Sequence, residues 1–151
     1  MNADELIDRL EIEDVANLVD RAVDDRRWDD FGNHFADPVR FEISATGASA
    51  GAAVELARDD FVQAIAAVNP PDKRTFHSSS NVLIQIEGDR ATLSARTYGW
   101  NLCARFDPPV YEVWGTMDYD FARIDGRWLV TGIRVRKWRE AGNVAVNAHS
   151  G

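Results

Sequence analysis

Between Thr75 and Arg139 the sequence is written as four long strand-like runs: Thr75–Ile86, Ala91–Ala104, Val110–Ile124 and Trp128–Arg139. The links between them, Glu87-Gly88-Asp89, Asp107-Pro108-Pro109 and Asp125-Gly126, carry the glycine and proline chemistry that reverses a chain between antiparallel strands. Strands of this length twist, so the sheet they build curves. A curved sheet has a concave face that other elements must cover.

The first half of the chain supplies that cover. Leu6, Ile7, Leu10, Val15, Leu18, Val19, Ala22 and Val23 recur at helical spacing, and Asn2 followed by Glu5 resembles a capping box. Asn17, Asp20, Arg21 and Asp24 form a polar stripe on the same helix. A second helix is expected from Trp28 to Ala36, ended by Asp37-Pro38, and a third from Asp59 to Val68, ended by Asn69-Pro70-Pro71-Asp72. Val39–Ile43 alternates as a short strand, and Ser44–Gly51 reads as a loop or weak hairpin. Helices first and a meander afterwards give an α+β fold in one domain, residues 1–141, with 142–151 as a flexible tail or flap. So few helices cover only part of a sheet this large, which leaves a cavity at its open end.

Composition mainly removes function classes. The net charge of −8 repels phosphate backbones and anionic lipids, so neither nucleic acid nor membrane is an expected partner. No apolar run approaches the roughly 20 residues that span a bilayer. Cys103 is the single cysteine and the N-terminus lacks a signal-peptide pattern, so a cytoplasmic protein is expected. His34, His77 and His149 are not spaced as ligands, and no phosphate-cradling loop is present, so neither a metal nor a cofactor is expected.

Among the histidines, His149 reads as a solvated tail residue and His34 as a helix-end residue. His77 opens a strand with a run of polar residues, His77-Ser78-Ser79-Ser80-Asn81, which calls for a polar cavity or hydrogen-bond network to satisfy it. Asp24 and Asp25 end the first helix, where a carboxylate opposes the helix dipole unless a partner holds it. Aromatic residues provide a lining. Trp28, Phe41, Tyr98, Trp100, Tyr111 and Trp114, with Asn101 as a polar group, are the substrate-binding candidates.

Arg21–Phe31 followed by Phe35-Ala36-Asp37-Pro38, then Thr75-Phe76-His77 with Asn81, Glu87–Ala91 and Asp125–Trp128, resemble SnoaL-like proteins of the nuclear transport factor 2-like superfamily. The resemblance covers residues 5–139 and implies a cone of helices against a strongly curved mixed sheet. It is nearest the branch of scytalone dehydratase, bile-acid dehydratase and hexachlorocyclohexane dehydrochlorinase. It places Asp24 and His77 on that branch's catalytic Asp and His, and it implies dehydration, elimination, isomerisation or cyclisation of a small hydrophobic or polycyclic molecule. This chain departs from the branch in having Ile133 where the dehydrochlorinase has an inward arginine, and Arg134 is expected on the opposite face. Epoxide hydrolysis would use Arg96, but Tyr98 stands where its partnering aspartate is sought.

A non-catalytic binding or assembly module is the alternative. Val82, Ile84 and Ile86 have the opposite parity to His77, Ser79 and Asn81, and in a regular strand they form an outward apolar face suited to a homo-dimer or homo-trimer contact.

Overall fold

The computed structural model describes residues 1–149. Its elements are α1 (Ala3–Asp24), α2 (Trp28–Asn33), β1 (Phe35–Ile43), β2 (Ala52–Leu56), α3 (Arg58–Ala67), β3 (Arg74–Glu87), β4 (Arg90–Leu102), β5 (Val110–Ile124), β6 (Arg127–Gly142) and α4 (Val144–Ala148). The strands form a six-stranded sheet in the order β2-β1-β6-β5-β4-β3. β1 and β6 run parallel and every other pair is antiparallel, so the sheet is mixed. Helices α1, α2 and α3 pack on its concave face, giving the expected α+β architecture.

The helix α1 is capped as read: the Asn2 side chain accepts the backbone N–H of Glu5. Its buried stripe is Ile12, Ala16, Val19 and Ala22, while Leu6, Ile7, Leu10 and Leu18 are exposed. The reason lies one turn from the N-terminus. Asp8 turns to the sheet, accepting Trp128 Nε1–H at 3.1 Å and pairing with Arg123 at 2.6 Å, and Arg9 donates to the Ile84 carbonyl. Polar anchors therefore occupy the inner side at that level, and the leucines turn outward.

Two boundaries differ from expectation. The second helix ends at Asn33, with His34 as its C-cap, and β1 starts at Phe35 ahead of Pro38. Phe35 and Val39 are buried on either side of the Asp37-Pro38 step, so core packing extends the strand through a sequence that local rules read as a break. The pairing of β1 with β6 is irregular across that step. The edge strand β2 has no counterpart in the sequence reading, because it is short and exposed and opens on two alanines.

The strand β3 contains a bulge. Ser80 pairs with Arg96 but Leu83 pairs with Ser94, and Asn81 takes a positive φ of 51°. The extra residue reverses the parity downstream. Ile84 is only 9% exposed and Val82 and Ile86 pack against the same core, while Leu83 is 72% exposed. The expected outward Val82–Ile84–Ile86 face is thus corrected: all three face inward, and that basis for a homo-oligomer contact is lost.

Residues 142–149 also have structure. Gly142 takes φ +87°, and a Cβ there would lie 2.2 Å from the Val110 carbonyl oxygen, so the turn requires glycine. Asn143 then caps α4, whose Val146 is fully buried beside Cys103 and Tyr111. A flexible tail was expected across 142–151; the part at 150–151 lies outside the described residues. Among the described residues, no helix is long and apolar enough to cross a membrane.

Candidate active site

The helix α1 delivers Asp24 at its last turn, directly over the start of β3. Thr75 and His77, two residues apart on one face of the strand, meet it there. Thr75 Oγ donates to Asp24 Oδ1 at 2.8 Å, the backbone N–H of His77 donates to Oδ2 at 2.8 Å, and His77 Nδ1 lies 2.7 Å from Oδ1. The carboxylate that opposes its own helix dipole is thus held by three donors from β3. With Nδ1–H donated to a carboxylate, the neutral ring carries its lone pair on Nε2, which has no hydrogen-bond partner among the described residues. Gly99 pairs with His77 across the sheet, and its missing side chain leaves room beside the ring.

The ring borders a cavity of ≈ 220 Å³ between the helices and the concave sheet. Its walls are mostly apolar, with Val19 and Val23 of α1, Phe61 and Ile65 of α3, and Met117 and Ile133 of the sheet. Asp20 is the charged group that the sequence reading passed over as part of a polar stripe. It stands one turn before Asp24, is buried, and accepts the Tyr119 hydroxyl at 3.1 Å and the Ser79 hydroxyl at 3.1 Å. The i, i+4 spacing of Asp20 and Asp24 was the available signal, since it puts two carboxylates on the face that meets β3.

Charge in the cavity is coupled. Burial pushes His77 down, but the Asp24 hydrogen bond and the negative charges of Asp20 and Asp24 outweigh it and leave the imidazole above its ordinary value. Burial pushes Asp24 up, yet its hydrogen bonds and ion pairing with His77 leave it below the ordinary carboxylate range. Asp20 is raised, because burial exceeds the help it receives from His77, Tyr119 and Ser79. A raised histidine contributes stability that is complete below 6.5 and fades as pH climbs through its folded value. A lowered aspartate contributes stability that is complete above 3.8 and fades as pH falls through its folded value. The Asp24→Asn variant should therefore lose most stability between these two limits, by about 1.5–3 kcal/mol, as expected for hydrogen bonds to a charged group. Urea midpoints of both proteins across pH 3–9 measure this, and a difference flat with pH counts against it.

The substrate-binding candidates divide by strand parity. Phe41, Asn101 and Tyr111 line the cavity. Tyr98, Trp100 and Trp114 do not. On β4 the residues Thr97, Gly99 and Asn101 face inward, which turns Tyr98 and Trp100 to the convex face, and Trp114 pairs with Tyr98 there. Tyr98 donates to Glu112 at 2.6 Å and packs on Trp114, while Trp100 stacks on Phe76 at 5.6 Å. Trp28 is also outside the cavity, edge-on to Phe31 at 6.1 Å and bordering a surface groove with Arg26 and Arg27. Ile133 faces the cavity and Arg134 faces outward to pair with Asp120, as parity required. Arg96 is on the convex face too, 4.2 Å from the Trp138 ring, which removes the basis for the epoxide-hydrolase reading.

The polar end of the cavity was not foreseen. Lys73, Asn69, Asn147 and Lys137 line it with Asn101 and Tyr111. The Tyr111 hydroxyl donates to Glu140, and burial with that bond raises its acidity limit well above the ordinary tyrosine value. His149 is not free in solvent: its Nε2 lies 3.2 Å from Asp72, whose carboxylate is held at about 2. Burial works to raise Asp72, and bonds from Arg105, His149 and Cys103 prevail. Asp72, Cys103 and His149 lie close together, and Arg105 pairs with the Asp72 carboxylate.

Comparison with known proteins agrees with this architecture. A protein of Kribbella flavida, Kfla4162, superposes with a TM-score of 0.85 at 18% identity, over 96% of this chain and 99% of that one. A scytalone dehydratase-like protein of Novosphingobium aromaticivorans gives 0.77 at 15% identity, over 95% and 92%. A hexachlorocyclohexane dehydrochlorinase (LinA) of type 2 gives 0.71 at 16% identity, over 91% and 90%. At these identities the likeness is one of fold. No curated protein matches the chain. The model of the SnoaL-like domain matches residues 4–134, a span that holds α1, α2 and α3, the strands through β5, and both Asp24 and His77. The chain belongs to the SnoaL-like family.

Proposed function

We propose that this protein is a lyase or isomerase that removes a proton from carbon in a small, largely apolar substrate, with His77 as the base and Asp24 as its orienting carboxylate. The observation that carries the reading is the 2.7 Å contact of Asp24 Oδ1 with His77 Nδ1, on a ring whose Nε2 is unpartnered beside a cavity. An imidazole that titrates near neutrality takes and returns protons without a large penalty either way. Asp24 fixes the tautomer and stabilises the imidazolium, and the Asp20 charge adds to that stabilisation.

In the step itself, the substrate C–H bond breaks, its proton passes to Nε2, and its electron pair forms the new carbon–carbon double bond. In elimination the neighbouring leaving group departs with its own pair; a departing hydroxide takes the proton from His77 and leaves as water. In isomerisation His77 returns the proton to a different carbon. The cavity requires no other charged reactant for either outcome. Deuterium uptake at carbon from D2O, scored over β-hydroxy ketones and β,γ-unsaturated ketones, is the direct test.

The pH profile carries a second signature. The base works when neutral, so kcat/KM should rise with pH through a value above 6.5, the ordinary imidazole value. Replacing Asp24 by Asn removes the hydrogen bond and one of the charges that raise His77 while the burial that lowers it persists. The rising limb should then move to lower pH as the rate falls. A limb that stays in place would mean that another group sets it.

A binding or assembly module is the second reading, and the convex face favours it: Phe76, Leu83 and Trp138 are exposed there. Homo-oligomer formation through that face is compatible with catalysis. Light scattering of a Leu83→Glu, Trp138→Glu variant measures it, and a mass unchanged from the parent protein argues against that contact.

A further inference from the structure

Lys73, at the turn into β3, is 1% exposed and lines the cavity. Its ammonium has three donors. One goes to the Val68 carbonyl at 2.8 Å and one to the Asn147 carbonyl at 3.1 Å. Both acceptors are neutral, and no described carboxylate lies within ion-pair distance of Nζ. The other lysine of the cavity, Lys137, contrasts with it by pairing with Glu140 at 3.1 Å. A buried charge without a counter-ion is costly, so such a group is paired or shifts toward its neutral form. Burial pushes the Lys73 ammonium below its ordinary value and outweighs the smaller opposing pull of the nearby Cys103.

We propose that the substrate carries a carboxylate and that this carboxylate docks on the Lys73 ammonium at the α4 end of the cavity. The proposal rests on the proton-abstraction reading for what happens next, and deepens it by naming the chemical class of the substrate. The geometry divides the ligand in two. Val23, Phe61, Ile65 and Met117 surround an apolar body, while Lys73, with Asn69, Asn101 and Asn147 nearby, meets its charged end. A neutral carbonyl would accept the third N–H but leave the charge uncompensated. A phosphate dianion would meet a single unpaired cation in a cavity that already holds Asp20, with Asp24 behind the His77 ring. A monoanion balances the charge. The same ammonium disfavours the imidazolium of His77, so neutralising it with a bound carboxylate makes proton acceptance by His77 easier. Anchoring and chemistry are thereby coupled through charge.

The test uses the full chain and two probes of nearly equal shape, 2-naphthoate and the neutral 2-naphthamide, titrated by calorimetry. The wild-type protein should bind naphthoate more tightly by about tenfold or more, as a hydrogen bond to a charged group predicts. In Lys73→Met the preference should vanish while naphthamide affinity stays within about threefold, since apolar contacts are kept. If Lys73 merely staples α4 through the Asn147 carbonyl, both probes weaken together and the proposal fails. Should the variant not fold, the lysine Cε resonances of the wild-type protein give the answer. The Lys73 titration midpoint should rise with saturating naphthoate and not with naphthamide, and an unmoved midpoint overturns the proposal. Neither probe needs to react, so failure of His77 as a base and failure of Lys73 as an anion anchor are read separately.

Discussion

His77→Ala should lower turnover by about 10²–10⁴-fold, the contribution of a positioned general base, while leaving the fold intact. The fold should survive because Asp24 keeps two of its three donors: Thr75 Oγ and the backbone N–H at position 77 are still present after the ring is removed. The loss should fall on kcat more than on KM, since the ring contributes one edge of a cavity whose walls are made elsewhere. Deuterium uptake from D2O should disappear with the rate. Circular dichroism and the thermal midpoint act as the control for folding. Activity within about tenfold of wild type would mean that His77 is a positioned but idle group, and Asp20, the carboxylate that lines the cavity beside it, would become the base to test. Asp20→Asn in the active protein should cost less than His77→Ala, because it removes a charge that supports the imidazolium and leaves the proton acceptor in place.

The largest stability effect should come from Phe35→Ala. Phe35 is buried at the join of α2 and β1, with ring centroids 4.7 Å from Phe31 and 5.1 Å from Phe61. Removing it takes away a whole ring from the contact between α2, α3 and the sheet, which in cores costs about 3–5 kcal/mol. For a chain of this size that corresponds to a fall in Tm of about 6–20 °C. Phe31 and Phe61 line the cavity while Phe35 supports them from behind, so ligand affinity should fall as well, through loosened walls. A Tm loss below about 3 °C would show that the neighbouring rings refill the space.

The strands β3 to β6 were legible because alternation and turn chemistry are local: Glu87-Gly88-Asp89 and Asp125-Gly126 announce reversals without reference to the rest of the molecule. His77 was legible because it opens an over-polar strand; Asp24 alone reads equally well as a solvated charge at a helix end, and the family resemblance singled it out and paired it with His77. The lining was half legible. Whether Trp100 or Asn101 faces the cavity is decided by register with His77 and Gly99, a long-range pairing that residue type does not reveal. Aromatic character favoured Tyr98, Trp100 and Trp114, while the inner face of β4 actually carries Thr97, Gly99 and Asn101. Lys73 escaped notice for a related reason. A lysine beside prolines and an aspartate reads as a solvated loop residue, but the carbonyls of Val68 and of Asn147, the latter brought by α4 from the far end of the chain, hold it in the interior. Asp20 was seen, but its stripe reads equally well as a solvent face until Tyr119 and Ser79 close over it.

The extra residue in β3 has a consequence for how this chain can change. The segment from Thr75 to Ser79 meets the Asp20 and Asp24 carboxylates and the segment from Val82 to Ile86 serves the core, and one unpaired position near Asn81 keeps both pointing the same way. Deleting a single residue there would restore an unbroken ladder and force a choice: either Ile84 goes to solvent or His77 leaves Asp24. Insertions and deletions in this strand are therefore constrained more tightly than substitutions, and descendants of this sequence can vary the letters of Ser78, Ser80 and Leu83 far more freely than they can vary its count.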